Sequence, residues 1–232
     1  MRKKIVVLTG AGISAESGIK TFRDADGLWE GHDVMQVASP EGWRKDRSLV
    51  LDFYNQRRAQ LHEVHPNDGH RALVELEKDY DVTIVTQNID DLHERAGSTD
   101  IVHLHGELFK ARSTADPRLV YDWKKDITTD DKCEKGAQIR PHIVWFGEEV
   151  PMLGLAAQHT SEAHIVIIIG TSMQVYPAAG LVGVAPKDAQ IYYIDPKPSI
   201  NYELSMTPNL KVIEEVATTG VRKVVDELLP SK

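Results

Sequence analysis

Residues 10–24, GAGISAESGIKTFRD, follow directly on the β-branched run KKIVVLT. A buried strand that turns through glycines into a helix start is a demanding arrangement, because few residues permit it. Gly10 allows the tight turn, Gly12 lets the backbone approach a pyrophosphate, and Ala15 is small enough for the helix start to pack on the strand. Free N–H groups at such a helix start attract anions. The pattern predicts either a nucleotide site or a purely steric loop, and the rest of the chain has to decide. An ordinary dinucleotide unit closes within about 30 residues and ends its second strand on an acidic residue. Here Thr21, Phe22, Arg23 and Asp24 stand instead, and the next strand pattern, Asp81 to Thr86, follows a long helical segment. An insertion therefore separates the first two strands.

Within that insertion, residues 25–43 have many turn formers and no clean period, and read as a long ordered loop. From about Arg44 to Glu63 the pattern is helical, with Val50, Tyr54, Arg57 and Leu61 on one face. A guanidinium on an inward face is costly unless it meets an anion, although it can also snorkel to solvent. Tyr54, one turn earlier, can reach the same carboxylate. Asn67 opens a second helix that runs to Tyr80. Past Thr86, the residues Gln87-Asn88-Ile89-Asp90-Asp91 crowd the carboxyl end of a strand, where open α/β sheets bind ligands. Helix capping accounts for the two aspartates and leaves Gln87 and Asn88 without a reason. In IVHLHG the period of two puts His103 and His105 on one face, and His105, at the strand's end, is the general-base candidate.

Residues 110–140 turn charged and rich in turn formers, a second insertion. The run AHIVIIIGTS at 163–172 suits the centre of a parallel sheet. A weaker strand spans 190–195, another 210–213, and a last helix about 219–229 carries the stripe Val221, Val224, Val225 and Leu228. A chain of 232 residues can bury one good core with a smaller appendage. The net charge of −8 disfavours nucleic-acid partners, and a single cysteine, Cys133, excludes an internal disulfide. The apolar runs are too short for a membrane span or a signal peptide, so the expected setting is the cytoplasm, with no membrane partner.

Taken together, GAGISAESGIKTFR, TQNIDDLHERAG, HLHGELF, RPHIVWFGE and IIIGTSMQVYPAAG, in this order and spacing, resemble the sirtuin family of NAD-dependent protein-lysine deacylases. The resemblance runs from about Ile5 to Gly220. It implies an α/β fold, a Rossmann-type parallel sheet domain with a smaller domain formed by two insertions. The sheet part would comprise 1–30, 68–108 and 145–232, and the insertions 31–67 and 109–144.

The same resemblance implies NAD as cofactor and a set of residue roles. Gly10, Ala11, Gly12, Glu16, Thr21, Phe22 and Arg23 would hold the diphosphate and the loop over the nicotinamide ribose. Asn88, Ile89 and Asp90 would form the nicotinamide pocket, with Gln87 near the ribose and His105 as the base. Gly170, Thr171, Ser172 and Asp195 would meet the adenosine ribose and Ala217 the adenine, Asp195 standing where the family more often has asparagine. Val144, Phe146, Gly147 and Glu148 would grip the acyl-lysine strand. The implied products are free lysine, nicotinamide and an O-acyl-ADP-ribose. Tyr54 and Arg57, with Ala38 as the small residue beside them, resemble the YxxR pair of the branch that prefers malonyl, succinyl and glutaryl groups.

One departure concerns the structural zinc that the family commonly holds on two pairs of cysteines. One thiolate cannot build a tetrahedral site without carboxylates or a partner chain, so no zinc is expected, and Tyr121 and Trp123 are the expected centre of the second insertion. The expected working form is a monomer acting on acyl-lysine proteins. The alternative activity, ADP-ribosyl transfer or NAD glycohydrolysis, would keep the NAD motifs but lose the acyl-lysine grip.

Overall fold

The computed structural model describes residues 2–20 and 28–229. The chain runs through β1 (Lys4–Thr9), β2 (Leu28–Trp29), β3 (His32–Asp33), α1 (Val34–Val37), α2 (Pro40–Lys45), α3 (Arg47–Glu63), α4 (Asp68–Leu76), β4 (Asp81–Thr86), α5 (Leu92–Ala96) and β5 (Ile101–His103). It continues with β6 (Gly106–Ser113), β7 (Val120–Asp122), β8 (Ile139–Ile143), α6 (Leu153–Ser161), β9 (Ile165–Ile169), β10 (Gln190–Ile194), α7 (Tyr202–Ser205), β11 (Leu210–Ile213) and α8 (Ala217–Leu228).

Six of these strands form one parallel sheet in the order β11-β10-β9-β1-β4-β5. Numbered among themselves along the chain, they give the doubly wound order 3-2-1-4-5-6 read from the other edge. Every residue of β9 is buried, because helices cover both faces of the sheet. On one face Leu73 and Leu76 of α4 meet Val221, Val224 and Val225 of α8. On the other, Ala156 of α6 and Leu181 and Val182 of a short 3-10 stretch pack on Val6, Val166 and Ile168. Helix α4 opens on a reciprocal cap between Asn67 and His70, which satisfies backbone groups the first turn would otherwise leave open.

Strands β7, β6 and β8 form a separate antiparallel sheet against α3. Its register slips between Glu107 and Ala111, and Ala111 faces Pro141, which cannot donate to the ladder. This sheet begins at Gly106, so the limit drawn at 108 falls inside β6. Residues 31–43 are also more ordered than a loop. They hold β3, α1 and most of α2, whose caps are Asp33, accepting from Met35 N–H, and Ser39, accepting from Gly42 N–H. Helices of four and six residues are too short to show a period, so only their caps could mark them.

The second insertion is centred on Ala111, Ile127, Cys133 and Ile139, all buried, with Tyr121 and Trp123 only partly buried at the margin. This corrects the expected centre, since both rings have polar atoms that reach outward, Tyr121 to Glu134 and Trp123 Nε1 to the Asp126 carbonyl. The residues do not suit a tetrahedral zinc site, because Cys133 is the chain's one thiol and accepts a hydrogen bond from Ser113 Oγ at 3.2 Å. Ion pairs close the loop: Asp116 accepts from Arg118 at 2.9 Å and Lys135 at 2.8 Å. These hydrogen bonds hold the Asp116 carboxyl well below its ordinary range.

Candidate active site

The carboxyl ends of the central strands open into a cavity of about 560 Å³. It lies where the strand order reverses, between β1 and β9. Its floor is backbone. Gly10 N–H donates to Ile169 O at 3.0 Å and Gly12 N–H to Gly170 O at 2.8 Å, which ties the loop after β1 to the loop after β9. A Cβ on Gly12 would lie 2.5 Å from Gly170 Cα, and one on Gly170 would lie 2.4 Å from Ile13 N. Neither position admits a side chain.

His105 lines this cavity just beyond β5. Its Nδ1 is 3.0 Å from the Gln87 carbonyl oxygen, which can only accept, so Nδ1 carries the proton and Nε2 is the basic nitrogen. Burial lowers the His105 pKa, more than the Gln87 carbonyl raises it. His103 does not share this role. It donates through Nδ1 toward Asn88 O at 3.4 Å, and its Nε2 pairs with Glu94 at 2.6 Å.

Beside His105 the loop after β4 is braced from within. Asn88 is buried, and its Nδ2 donates to Gly10 O and Ser14 Oγ, each at 3.2 Å. Its backbone N–H donates to Thr86 Oγ1 at 3.0 Å; Thr9 Oγ1 donates to the same oxygen at 2.8 Å and lies 3.1 Å from His93 Nε2. Asp90 accepts from Ser14 Oγ at 2.9 Å and from Leu92 N–H at 3.1 Å. Burial nevertheless pushes its pKa up to about 6. Ile89 lines the cavity and its carbonyl accepts from Leu108 N–H at 2.8 Å.

A second arm of the cavity runs toward α3. Tyr54 is fully buried, and Trp145 Nε1 donates to its hydroxyl at 3.0 Å, which leaves the phenolic proton for another acceptor. Trp29 and Phe53 meet the Tyr54 ring edge-on, at 5.9 and 5.1 Å. Arg57 lies with its Cζ 5.1 Å from the Phe53 ring centre, and its Nε is buried with no hydrogen-bond partner among the described residues. Ala38, small and buried, completes the wall. The fully buried arginine of α3 is its neighbour, Arg58, which donates to Leu108 O at 3.1 Å and Asn55 Oδ1 at 2.8 Å and so fastens α3 to β6.

The segment after β8 frames the opening. Val144 N–H donates to His105 O and Phe146 N–H to Ala38 O, each at 2.9 Å. Phe146 is itself exposed, and Gly147 turns at φ +88°. The Glu148 carboxylate is engaged by Arg140 at 2.7 Å, Arg112 at 3.0 Å and Trp145 N–H at 2.8 Å, so it organises this turn. Arg140 in turn lies 3.2 Å over the Trp145 ring.

At the far end, Thr171 Oγ1 accepts from Gln87 Nε2 at 3.1 Å, Ser172 lines the wall, and buried Asp195 accepts from Lys197 N–H at 2.8 Å. Glu16 lines the cavity too, but its carboxylate accepts from Thr218 N–H at 3.0 Å and Thr218 Oγ1 at 2.7 Å. It thereby caps α8, whose N-cap residue Val216 has no capping side chain. Ala217 packs in the core against α4, and its neighbour Val216 lines the cavity. Thr21, Phe22 and Arg23 lie outside the described residues. The remaining sequence-predicted residues share the one cavity. Sequence reasoning had singled out neither Trp145, whose indole fixes Tyr54, nor Thr9 and His93, which brace Asn88. Among the described residues no helix is long and apolar enough to cross a membrane.

The chain matches the Sir2 family over residues 10–177. It is 59% identical over 227 residues to an NAD-dependent protein deacylase of Helicobacter pylori, covering 98% of each chain. To an NAD-dependent protein deacylase of Bacteroides thetaiotaomicron it is 51% identical over 235 residues, covering 99% of each. Among solved structures, a Sir2 homologue in complex with NAD is 35% identical with a TM-score of 0.87, covering 98% of this chain and 90% of the other. A structure addressing sirtuin substrate affinity is 26% identical with a TM-score of 0.80, covering 99% and 95%.

Proposed function

The chain belongs to the Sir2 family and is an NAD-dependent protein deacylase, and from that premise we propose that it works best on lysines whose acyl group ends in a carboxylate, succinyl and malonyl above acetyl. The observation that carries this is Arg57, a guanidinium on the cavity wall whose buried Nε has no partner among the described residues, one turn from a Tyr54 hydroxyl with a proton to give. A buried donor left unsatisfied is costly, and a substrate carboxylate would satisfy both groups.

NAD suits the residues present. A side-chain-free backbone floor can accept a diphosphate, and the buried side-chain oxygens of Asn88 and Asp90 offer acceptors to a carboxamide NH2. The Asp195 carboxylate can accept ribose hydroxyl hydrogen bonds where an asparagine is more common. When bound, NAD would supply an electrophilic ribose carbon, with nicotinamide as its leaving group, and so an acceptor for the acyl group. His105 Nε2 would be the base for a ribose hydroxyl proton, a role its fixed tautomer and lowered pKa favour at neutral pH. Val144, Phe146 and Gly147 hold the acyl-lysine strand, with Phe146 as its exposed contact, and Glu148 sets the turn. The protein is expected to act as a monomer in the cytoplasm.

The test is NAD-dependent turnover of matched succinyl-lysine and acetyl-lysine peptides, followed by mass spectrometry. Higher kcat/KM on the succinyl peptide is expected. Equal or higher kcat/KM on the acetyl peptide refutes the preference, and nicotinamide release without deacylated peptide would point to glycohydrolysis.

A further inference from the structure

Behind the wall that carries His105, three side chains from three elements converge: Glu94 of α5, His103 at the end of β5 and Glu107 near the start of β6. Their potential ligand atoms lie within 4.8 Å of one another. We propose that they form a binding site for a divalent transition-metal ion, separate from the NAD cavity.

The donor chemistry selects the ion class. One imidazole nitrogen with two carboxylate oxygens suits Zn2+, Co2+ or Mn2+, whereas Mg2+ and Ca2+ favour all-oxygen sets. Three protein ligands leave a position for water, as in open zinc sites. Ligands about 3.4 Å apart would meet a tetrahedral ion with bonds near 2.1 Å, so rotation of the two carboxylates by roughly an ångström closes the cluster.

Two further features separate this cluster from a chance meeting of acids. His103 points Nε2 at Glu94, while its Nδ1 faces the Asn88 carbonyl oxygen at 3.4 Å. An imidazole held by a carbonyl on one nitrogen and presented to the ion by the other is the usual support of a metal-ligating histidine. The site also has a shielded side and an open one, since the His103 side chain is 10% exposed and that of Glu94 38%. Lys110 Nζ now pairs with Glu107 at 2.8 Å, and His142 faces Glu107 in the strand register. Lys110 is therefore the competitor that an arriving ion displaces. The ion would clamp α5 to the β5–β6 corner and, through His103, bear on the Asn88 backbone at the nicotinamide end.

The experiment is a Co2+ titration of the full chain at neutral pH, read from the visible absorption bands of the bound ion. One saturating equivalent is expected. Glu94→Gln and His103→Gln should each weaken binding more than about tenfold. Lys110→Gln, which removes the competing ammonium, should tighten it. The absence of a saturating band, or a band of unchanged affinity in both ligand variants, would overturn the site, the latter by assigning the ion to other histidines. Circular dichroism establishes that the variants are folded. If both ligand variants fail that check, Lys110→Gln decides alone, and unchanged or weaker binding in it counts against the proposal.

Discussion

Replacing Arg57 by methionine tests the acyl preference with little disturbance to the fold. Met retains an unbranched stem that can lie on Phe53 as the Arg57 side chain does, and it removes a buried Nε that has no partner among the described residues. Stability should therefore change by less than about 1 kcal/mol. The substrate carboxylate, in contrast, loses a charged partner. Hydrogen bonds to charged groups are worth about 1.5–3 kcal/mol, and stranding a buried charge costs about 3–5 kcal/mol. Arg57 is only half-buried, which favours the lower part of that span, near 2 kcal/mol or about 30-fold in kcat/KM. An acetyl group offers no charge to the guanidinium, so its turnover should shift less than about threefold. Tyr54→Phe is a poorer probe, because it would also leave the Trp145 indole N–H without its acceptor. The assay is competition between the two peptides in one reaction, quantified by mass spectrometry. Losses on both peptides that agree within about threefold would refute the pairing of Arg57 with a substrate carboxylate.

Three further outcomes are expected. Because burial lowers the His105 pKa, its neutral form persists below the ordinary imidazole value of about 6.5, so its loss through protonation begins only below that pH; His105→Gln should abolish deacylation at every pH, and substantial residual product would remove it as the base. Asp90 is held near pKa 6 against 3.8 unfolded, so the folded state binds its proton more tightly, and the associated stability, complete below 3.8, is lost as pH rises through 6. Asp90→Asn should then raise stability by about 1–2 kcal/mol at pH 7 and less at pH 5, while lowering kcat/KM; a urea midpoint at or below that of the parent would contradict this. Asp116 is held in its charged form by Arg118 and Lys135, so Asp116→Ala should speed proteolysis within 114–138 while leaving the main urea transition in place; unaltered cleavage there would show that these pairs do not close the loop.

The parallel sheet was legible because β1 and β9 are buried on both faces and spell near-continuous apolar runs, and β4 is a β-branched one, each ending at a polar or glycine turn. The residues around the cavity were legible for the same reason, since ligand groups sit where those runs stop. What the sequence concealed was governed by contacts between distant segments. The local period picks out Arg57, which borders the cavity, but not Arg58, which is the fully buried one; the carbonyl of Leu108 decides that. Glu16 lines the cavity and also caps α8 through Thr218, a second engagement that only the approach of two distant segments reveals. The hairpin and short helices at 28–45 depend on caps and on Gly42, whose Cβ would meet Gln36 O at 2.1 Å, a constraint with no periodic signature.

The contact between the loops after β1 and β9 has a thermodynamic meaning of its own. Gly12 and Gly170 lie so close that a methyl group on either would claim space held by the other. Alanine at both positions should therefore cost less than the sum of the two single changes, since one separation of the loops accommodates both. The two loops, far apart along the chain, behave as one cooperative element. A dinucleotide resting on that floor would slow amide hydrogen exchange at Gly10 and at Gly12 by the same factor, because both amides donate to the end of β9 and the loop after it and one separation opens both.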